Sequence, residues 1–167
     1  MKVLELNFER SWRGGERQTL YDIMGFKARG IQVALVCRSG YPLEAAARKE
    51  GIDVYAFHNT LQVLWFLITK GSKYDIHHAQ TSHVLTYTVF TKLFHGAKVI
   101  FSRRVSFKPK GILTWLKYRL TDKVVAISGP VSKTLKEFGI RNVAVISDKV
   151  LPRTLDTTRA THLIDEL

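Results

Sequence analysis

Cysteine occurs once, at Cys37, proline four times and tryptophan three times in 167 residues. A single cysteine rules out an internal disulfide, and its place at the end of Val33-Ala34-Leu35-Val36 reads as a buried strand residue in a reducing compartment. Long apolar runs are also missing. The longest, Leu61 to Ile68, is interrupted by Gln62 and falls well short of the roughly 20 residues that a spanning helix needs. Met1-Lys2-Val3-Leu4-Glu5 meets charge at once, so no leader is expected and a soluble or peripheral protein follows. Acid is scarce in one place above all. No Asp or Glu occurs from Ile76 to Thr121, while Lys92, Lys98, Arg103, Arg104, Lys108, Lys110, Lys117 and Arg119 all fall in that window. With a formal charge of +12, this predicts a positive face for an anionic membrane, phosphorylated glycolipid, nucleotide or nucleic acid; the alternative is a merely well-solvated surface.

At 46% apolar residues the chain can bury a real core without metal or disulfide, and its length fits one compact domain. Runs rich in β-branched residues alternate with helical patterns, the signature of repeated βα units on a parallel sheet. Strands are expected near Lys2–Asn7, Gln32–Arg38, Asp53–Phe57, Asp75–Ala79, Lys98–Ser102, Lys123–Ile127 and Asn142–Ile146. Helices fall near Gly15–Arg29, Pro42–Glu50, Leu61–Lys70, Ser82–Phe94, Lys110–Thr121 and Pro130–Phe138. Gly30, Gly51, Gly71, Gly96 and Gly139 follow five of these helices as C-caps, and Pro42 and Pro130 suit first turns. The expected architecture is a three-layer α/β/α Rossmann-like domain with a mainly parallel, seven-stranded sheet. Ligands of such sheets bind at the carboxyl ends of the strands.

Several residues at those ends can carry chemistry. Gly14-Gly15 lies between the first strand and the first helix, where glycines admit positive φ and close approach and the helix-start amides attract anions, although a tight turn alone also uses such a pair. The spacing matches neither the dinucleotide fingerprint nor the P-loop. His77 and His78 point to opposite faces of their strand and cannot act together, whereas His83 stands just inside a helix start near the cleft. No metal spacing is present. Arg103 and Arg104, followed by Lys108, offer cations suited to phosphate or carboxylate. Ile112, Leu113, Leu116 and Leu120, interleaved with cations and Trp115, read either as an interfacial helix on anionic lipid or as an ordinary core-facing helix. No Gly-x-Ser-x-Gly motif surrounds Ser128, and the only acids expected on the loop side, Glu9 and Glu16, argue against a carboxylate dyad.

Gly14-Gly15-Glu16-Arg17, Ala28-Arg29-Gly30-Ile31-Gln32-Val33, Tyr74-Asp75-Ile76-His77-His78-Ala79, Ser102-Arg103-Arg104-Val105, Asp122 to Ser128 and Val145 to Val150 follow in order along almost the whole chain. Together they resemble the N-terminal, acceptor-side half of a retaining family-four GT-B glycosyltransferase, and the Arg-Arg-Val variant is most similar to enzymes of bacterial lipopolysaccharide and cell-envelope assembly. Asp148-Lys149-Val150 and Ser106 depart from the usual residues, Asn-Gly-Val and Asp. The resemblance implies a domain over residues 1–150, with residues 151–167 starting a link to a C-terminal donor-binding domain that the sequence lacks, and with Leu163, Ile164 and Leu167 on a short helix. It implies sugar transfer from a nucleotide sugar, bound weakly by this half alone, to a glycolipid or polysaccharide acceptor, with no cofactor or metal and no activity without the other domain. Gly14, Gly15 and Arg17 would serve the donor, His83 and Arg103 the reaction, and Arg104, Lys108 and Ser128 the acceptor or its anionic groups. The expected place is the cytoplasmic face of the inner membrane, held peripherally, with a homodimer conceivable through the face the second domain would cover. A stand-alone module for anionic glycolipid or membrane is the alternative. Nucleic acid is not expected as a partner, because Trp115 and Tyr118 sit in no recognisable binding motif.

Overall fold

The computed structural model describes residues 1–148. The expected link over 151–167, its short helix and Lys149-Val150 lie outside the described residues. Seven parallel strands run β1 (Lys2–Asn7), β2 (Gln32–Arg38), β3 (Asp53–Phe57), β4 (Ile76–Ala79), β5 (Lys98–Arg103), β6 (Lys123–Ala126) and β7 (Val143–Val145), in the order β3-β2-β1-β4-β5-β6-β7. The chain thus winds outward from β1 to one edge, returns to β4, and winds outward again. Crossovers are right-handed, so the two halves must place their helices on opposite faces.

The core bears this out. On one face Leu4, Leu6, Ala34, Val36, Val99 and Phe101 pack against α3 (Thr60–Lys70), α4 (Ser82–Phe90), α6 (Ile112–Arg119) and α7 (Gly129–Glu137) through Val63, Leu67, Leu85, Tyr118 and Leu135. On the other, Leu35 and Cys37 meet Ile23 of α1 (Gly14–Lys27) and Leu43 and Ala47 of α2 (Pro42–Lys49). β1 is buried on both sides over Val3–Asn7, hence its near-continuous apolar sequence. Burial, with the nearby Glu44 charge, pushes the Cys37 thiol up to about 12, so it is a core group and not a nucleophile.

Two expectations need correction. The fourth helix breaks at Thr91, so that α5 (Lys92–His95) is separate: the Thr91 hydroxyl bonds back to the carbonyls of Tyr87 and Thr88, which bends the helix. Gly71 is no left-handed cap. Its φ is −58° and the chain continues into a 3-10 turn over Gly71–Lys73. A Cβ there would lie 2.9 Å from His95 Cβ and 3.0 Å from His77, so glycine is required by close packing and not by conformation.

Candidate functional site

At the reversal of strand order, α1 leaves the carboxyl end of β1 toward one face and α4 leaves that of β4 toward the other. A cavity of about 380 Å³ opens between them, lined by Phe8, Arg10, Ser11 and Arg13 after β1, Arg38 at the end of β2, and Thr81, His83 and Tyr87 at the start of α4. A larger one, about 600 Å³, lies at the amino ends of β1 to β3 around Lys2, Gln32 and Asp53. It is on the wrong edge for a doubly wound sheet, so geometry favours the smaller cavity.

Gly14 and Gly15 form the first residues of α1, beside that cavity. Neither has positive φ, contrary to one reason for expecting glycine there. A Cβ at either position would meet nothing within 4 Å. The fold itself therefore does not demand glycine, and what the pair leaves is open space over the helix start. Glu16 is turned inward: its carboxylate accepts the Arg13 amide at 2.7 Å and the Ser11 hydroxyl at 3.3 Å, which shapes the loop.

A second group of polar residues lies on the α1 face. Parallel pairing sets Glu5 opposite His78, and Glu5 is fully buried. His78 Nδ1 donates to Glu5 Oε1 at 2.7 Å, and its Nε2 is 2.8 Å from Ser102 Oγ on β5. Burial opposes a charge on His78, but Glu5, its hydrogen bond and Asp22 outweigh this and raise the imidazole above its ordinary range. Gln80 Nε2 donates to Glu5 at 2.7 Å and to Asp22 at 3.2 Å, while its Oε1 accepts from Arg104 at 2.5 Å. Arg104 also bonds Asp148 at 3.1 Å and lies 3.6 Å from Asp22. Burial, then repulsion from Glu5, raises the Asp22 carboxyl despite Gln18, His78 and Arg104. The network borders a cavity of about 530 Å³ that also includes Tyr21, Phe26 and Val125. It clamps β1, β4, β5, α1 and the segment after β7 together.

Residues 12–150 match the family model described as Glycosyltransferase Family 4. The chain belongs to glycosyltransferase family 4. No curated protein sequence matches it significantly. Among solved structures, this family-4 chain is similar to Anabaena Alr3699/HepE, determined in complex with UDP-glucose, with a TM-score of 0.80 at 15% identity over 99% of this chain and 50% of that one. A glycosyltransferase from Rickettsia africae gives a TM-score of 0.76 at 17% identity, covering 99% of this chain and 48% of that one. The lipopolysaccharide outer core galactosyltransferase WaaB gives 0.66 at 15% identity, over 93% and 48%. At such identities the likeness shows the fold, a GT-B-type Rossmann-like unit. The chain spans about half the length of these structures.

Within this family-4 fold the residues singled out from sequence do not all meet. His83 lines the 380 Å³ cavity, as does the loop that leads into Gly14 and Gly15 at the start of α1, and Arg17 is exposed on the first turn of that helix. Arg103 is 4% exposed and turned inward, its guanidinium donating to the Tyr118 hydroxyl at 2.6 Å and to the Phe107 carbonyl. Arg104 belongs to the clamp. Exposed Lys108 and half-buried Ser128, the N-cap of α7, line neither cavity. Sequence reasoning missed Arg10, Arg13 and Arg38 at the cavity, although each stands at a strand's carboxyl end or in the loop beyond it. It also placed only Glu9 and Glu16 among the loop-side acids. Glu5, Asp22 and Asp148, gathered around Gln80 and Arg104, were not among them, two of them hidden in strand and helix patterns.

Proposed function

We propose that the chain is the acceptor-side half of a retaining glycosyltransferase that moves a sugar from a nucleotide-sugar donor to a cell-envelope glycolipid or polysaccharide, and that it is inactive without a donor-binding domain. The observation that carries this reading is the open ground over Gly14 and Gly15 at the switch point of the sheet. A helix start with free clearance, adjoining a cavity, lets a diphosphate approach backbone amides, which suit negative charge. Family membership and the UDP-glucose complex of the similar Anabaena protein support a nucleotide-sugar donor. In this reading Gly14, Gly15 and Arg17 meet the donor's diphosphate, and His83 faces the reacting sugar from the start of α4. Arg103 acts through Tyr118 and the Phe107 segment, as a positioning residue for the loop after β5. Positive groups at the cleft stabilise charge on the departing diphosphate.

The test is a turnover assay with nucleotide sugars and envelope glycolipid acceptors. No robust transfer is expected from this chain alone, and transfer is expected once a donor-binding domain is supplied. Efficient turnover by the isolated chain would refute the assignment.

One surface favours a second reading, a peripheral binder of anionic membrane on the cytoplasmic side. Phe90 at the end of α4, Leu93 and Phe94 on α5, and Ile112, Leu113 and Leu116 on α6 are exposed, Leu93 at 97%. Lys92 of α5 bonds the Leu120 carbonyl at the end of α6, so these helices adjoin. All six lie in the acid-free window of the sequence, although Lys92 and Lys98 pair with Asp122 just beyond it. Exposed apolar side chains on helices that also carry cations suit a lipid headgroup layer. Among the described residues no helix is long and apolar enough to cross a membrane. The two readings are compatible, since a glycolipid acceptor is met at the membrane.

A further inference from the structure

The positive charges at the carboxyl edge divide into two sets. Arg104 is spent on the clamp, held by Asp148, Asp22 and Gln80, and Arg103 is buried against Tyr118 and Phe107. The three guanidiniums around the 380 Å³ cavity are different. Among the described residues no carboxylate forms an ion pair with Arg10, Arg13 or Arg38. Arg38 is nonetheless fixed: it lies 4.3 Å over the Phe8 ring, and it donates to the carbonyls of Phe8 at 3.5 Å and His58 at 3.2 Å. Those are neutral acceptors, so its charge remains uncompensated. Arg10 and Arg13 are exposed on the loop opposite, and Glu9 is the only acid in the lining.

The wall on the other side is polar and incompletely satisfied. Thr81 contributes a hydroxyl oxygen that is buried without a hydrogen-bond partner among the described residues, and His83 stands beside it. Tyr87 supplies an aromatic wall, its hydroxyl 3.4 Å from Thr60 Oγ1. The cavity therefore combines a fixed guanidinium, two exposed ones, a spare hydroxyl, an imidazole and ring surfaces. Guanidiniums match the two oxygens of a carboxylate or phosphate, and rings and hydroxyls match a pyranose.

We infer that this cavity takes an acidic sugar, a hexuronate or sugar phosphate, so that the acceptor carries a negative group next to the position that is glycosylated. The inference rests on the glycosyl-transfer reading and adds the charge of the acceptor. Phe8, Tyr87 and the Thr81 hydroxyl hold the ring, while Arg38 receives the acidic group and Arg10 and Arg13 close on it from the loop.

The experiment titrates the full chain at low salt with glucuronate, glucose 6-phosphate, glucose and UDP, following amide shifts of residues 8–13, 38 and 81–87. Both acidic sugars are expected to bind at least about tenfold more tightly than glucose, as charge-assisted bonds outweigh neutral ones. Their binding should weaken with salt, and should drop roughly fivefold or more in Arg10→Gln/Arg13→Gln, whose sites are exposed and leave the fold intact. Arg38→Lys, which keeps charge without the fork, should lose part of the gain. Glucose binding as tightly as glucuronate would overturn the acidic preference and leave glycosyl transfer standing. Displacement of both acidic sugars by UDP at these same residues would also overturn it, by showing that the arginines serve the donor's diphosphate. If no sugar binds and UDP shifts only Gly14 to Arg17, the inference fails and the donor assignment stands.

Discussion

At the residue scale, two adjacent histidines illustrate how strand alternation sorts chemistry. His77 faces the α3–α5 side, where its Nε2 donates to the Gly71 carbonyl at 3.0 Å and its ring lies 4.0 Å from that of His95. His95 accepts the Ala97 amide on Nδ1 and donates from Nε2 to Thr88, which defines a neutral tautomer. Burial, then the neighbouring His95, lowers His77 from 6.5 to about 4. The unfolded chain therefore takes up a proton over that range while the folded one does not, so the His77 contribution is full above pH 6.5 and is lost as pH drops toward 4. The shift corresponds to a loss on the order of 3 kcal/mol. His78 acts in the opposite sense: with its folded value raised by Glu5, its contribution is fully present below 6.5 and is lost as pH rises from there through the higher folded value. Urea unfolding of the wild type and His77→Gln between pH 4 and 8 checks this. The variant keeps a donor for Gly71 but cannot titrate, so its acid-side decline should be shallower by about one proton. Equal slopes would show that His77 is not the group responsible.

At the scale of the element, α1 begins with two residues that are poor helix formers and that no neighbour requires. Replacing Gly14 and Gly15 by alanine removes backbone freedom from the unfolded chain and adds no clash. Stability should be unchanged or rise by at most about 1 kcal/mol per site. UDP-induced shifts of the Gly14 to Arg17 amides should nonetheless be weakened or lost, since each new methyl stands in the open ground over the helix start. Thermal unfolding and the UDP titration on the same double variant separate the two effects. Intact UDP shifts would detach these glycines from the donor. The break between α4 and α5 matters at this scale too. A single uninterrupted helix is the expectation over Ser82–Phe94; the Thr91 hydroxyl that bonds back to Tyr87 and Thr88 splits it, and Leu93 and Phe94 beyond the break are exposed.

At the scale of the whole molecule, two surfaces stand apart. The carboxyl edge of the sheet carries the candidate cleft, while α4 to α6 present exposed apolar side chains among cations. Sedimentation with vesicles should show retention on phosphatidylglycerol-containing bilayers, weak retention on phosphatidylcholine alone, and release by salt. Leu93→Ser/Ile112→Ser alters side chains 97% and 73% exposed, so the fold should be unaffected. Retention should fall roughly tenfold, in line with two side chains withdrawn from the lipid interface. Salt-independent binding, or none that differs between wild type and variant, would remove the membrane from the account.

The strands, most helix boundaries, the parallel order of the units and the buried cysteine were legible in the linear chain, because each is written in local periodicity and punctuation. β1, β2 and β3 fall on the expected residues. The opposite directions of His77 and His78 followed from the period of two, whereas Gly14 and Gly15, expected as a loop, open α1 itself. What local pattern does not carry is which polar residues meet across the sheet. Glu5 reads as an interruption in an apolar run, and Asp22 as a solvent-facing helix residue. They share Gln80 because strand order sets β1 beside β4 and lays α1 across that face, closing contacts of 73 and 75 residues' separation between Glu5 and His78 and between Glu5 and Gln80. The same closure separates Arg103, drawn into the core by Tyr118, from Arg104, bound into the clamp, and leaves Arg10, Arg13 and Arg38 as the uncompensated charges at the cleft. Hydrogen-bond period and hydrophobic pattern act over a few residues; desolvation and charge pairing act on whichever groups the finished fold brings within a few ångströms.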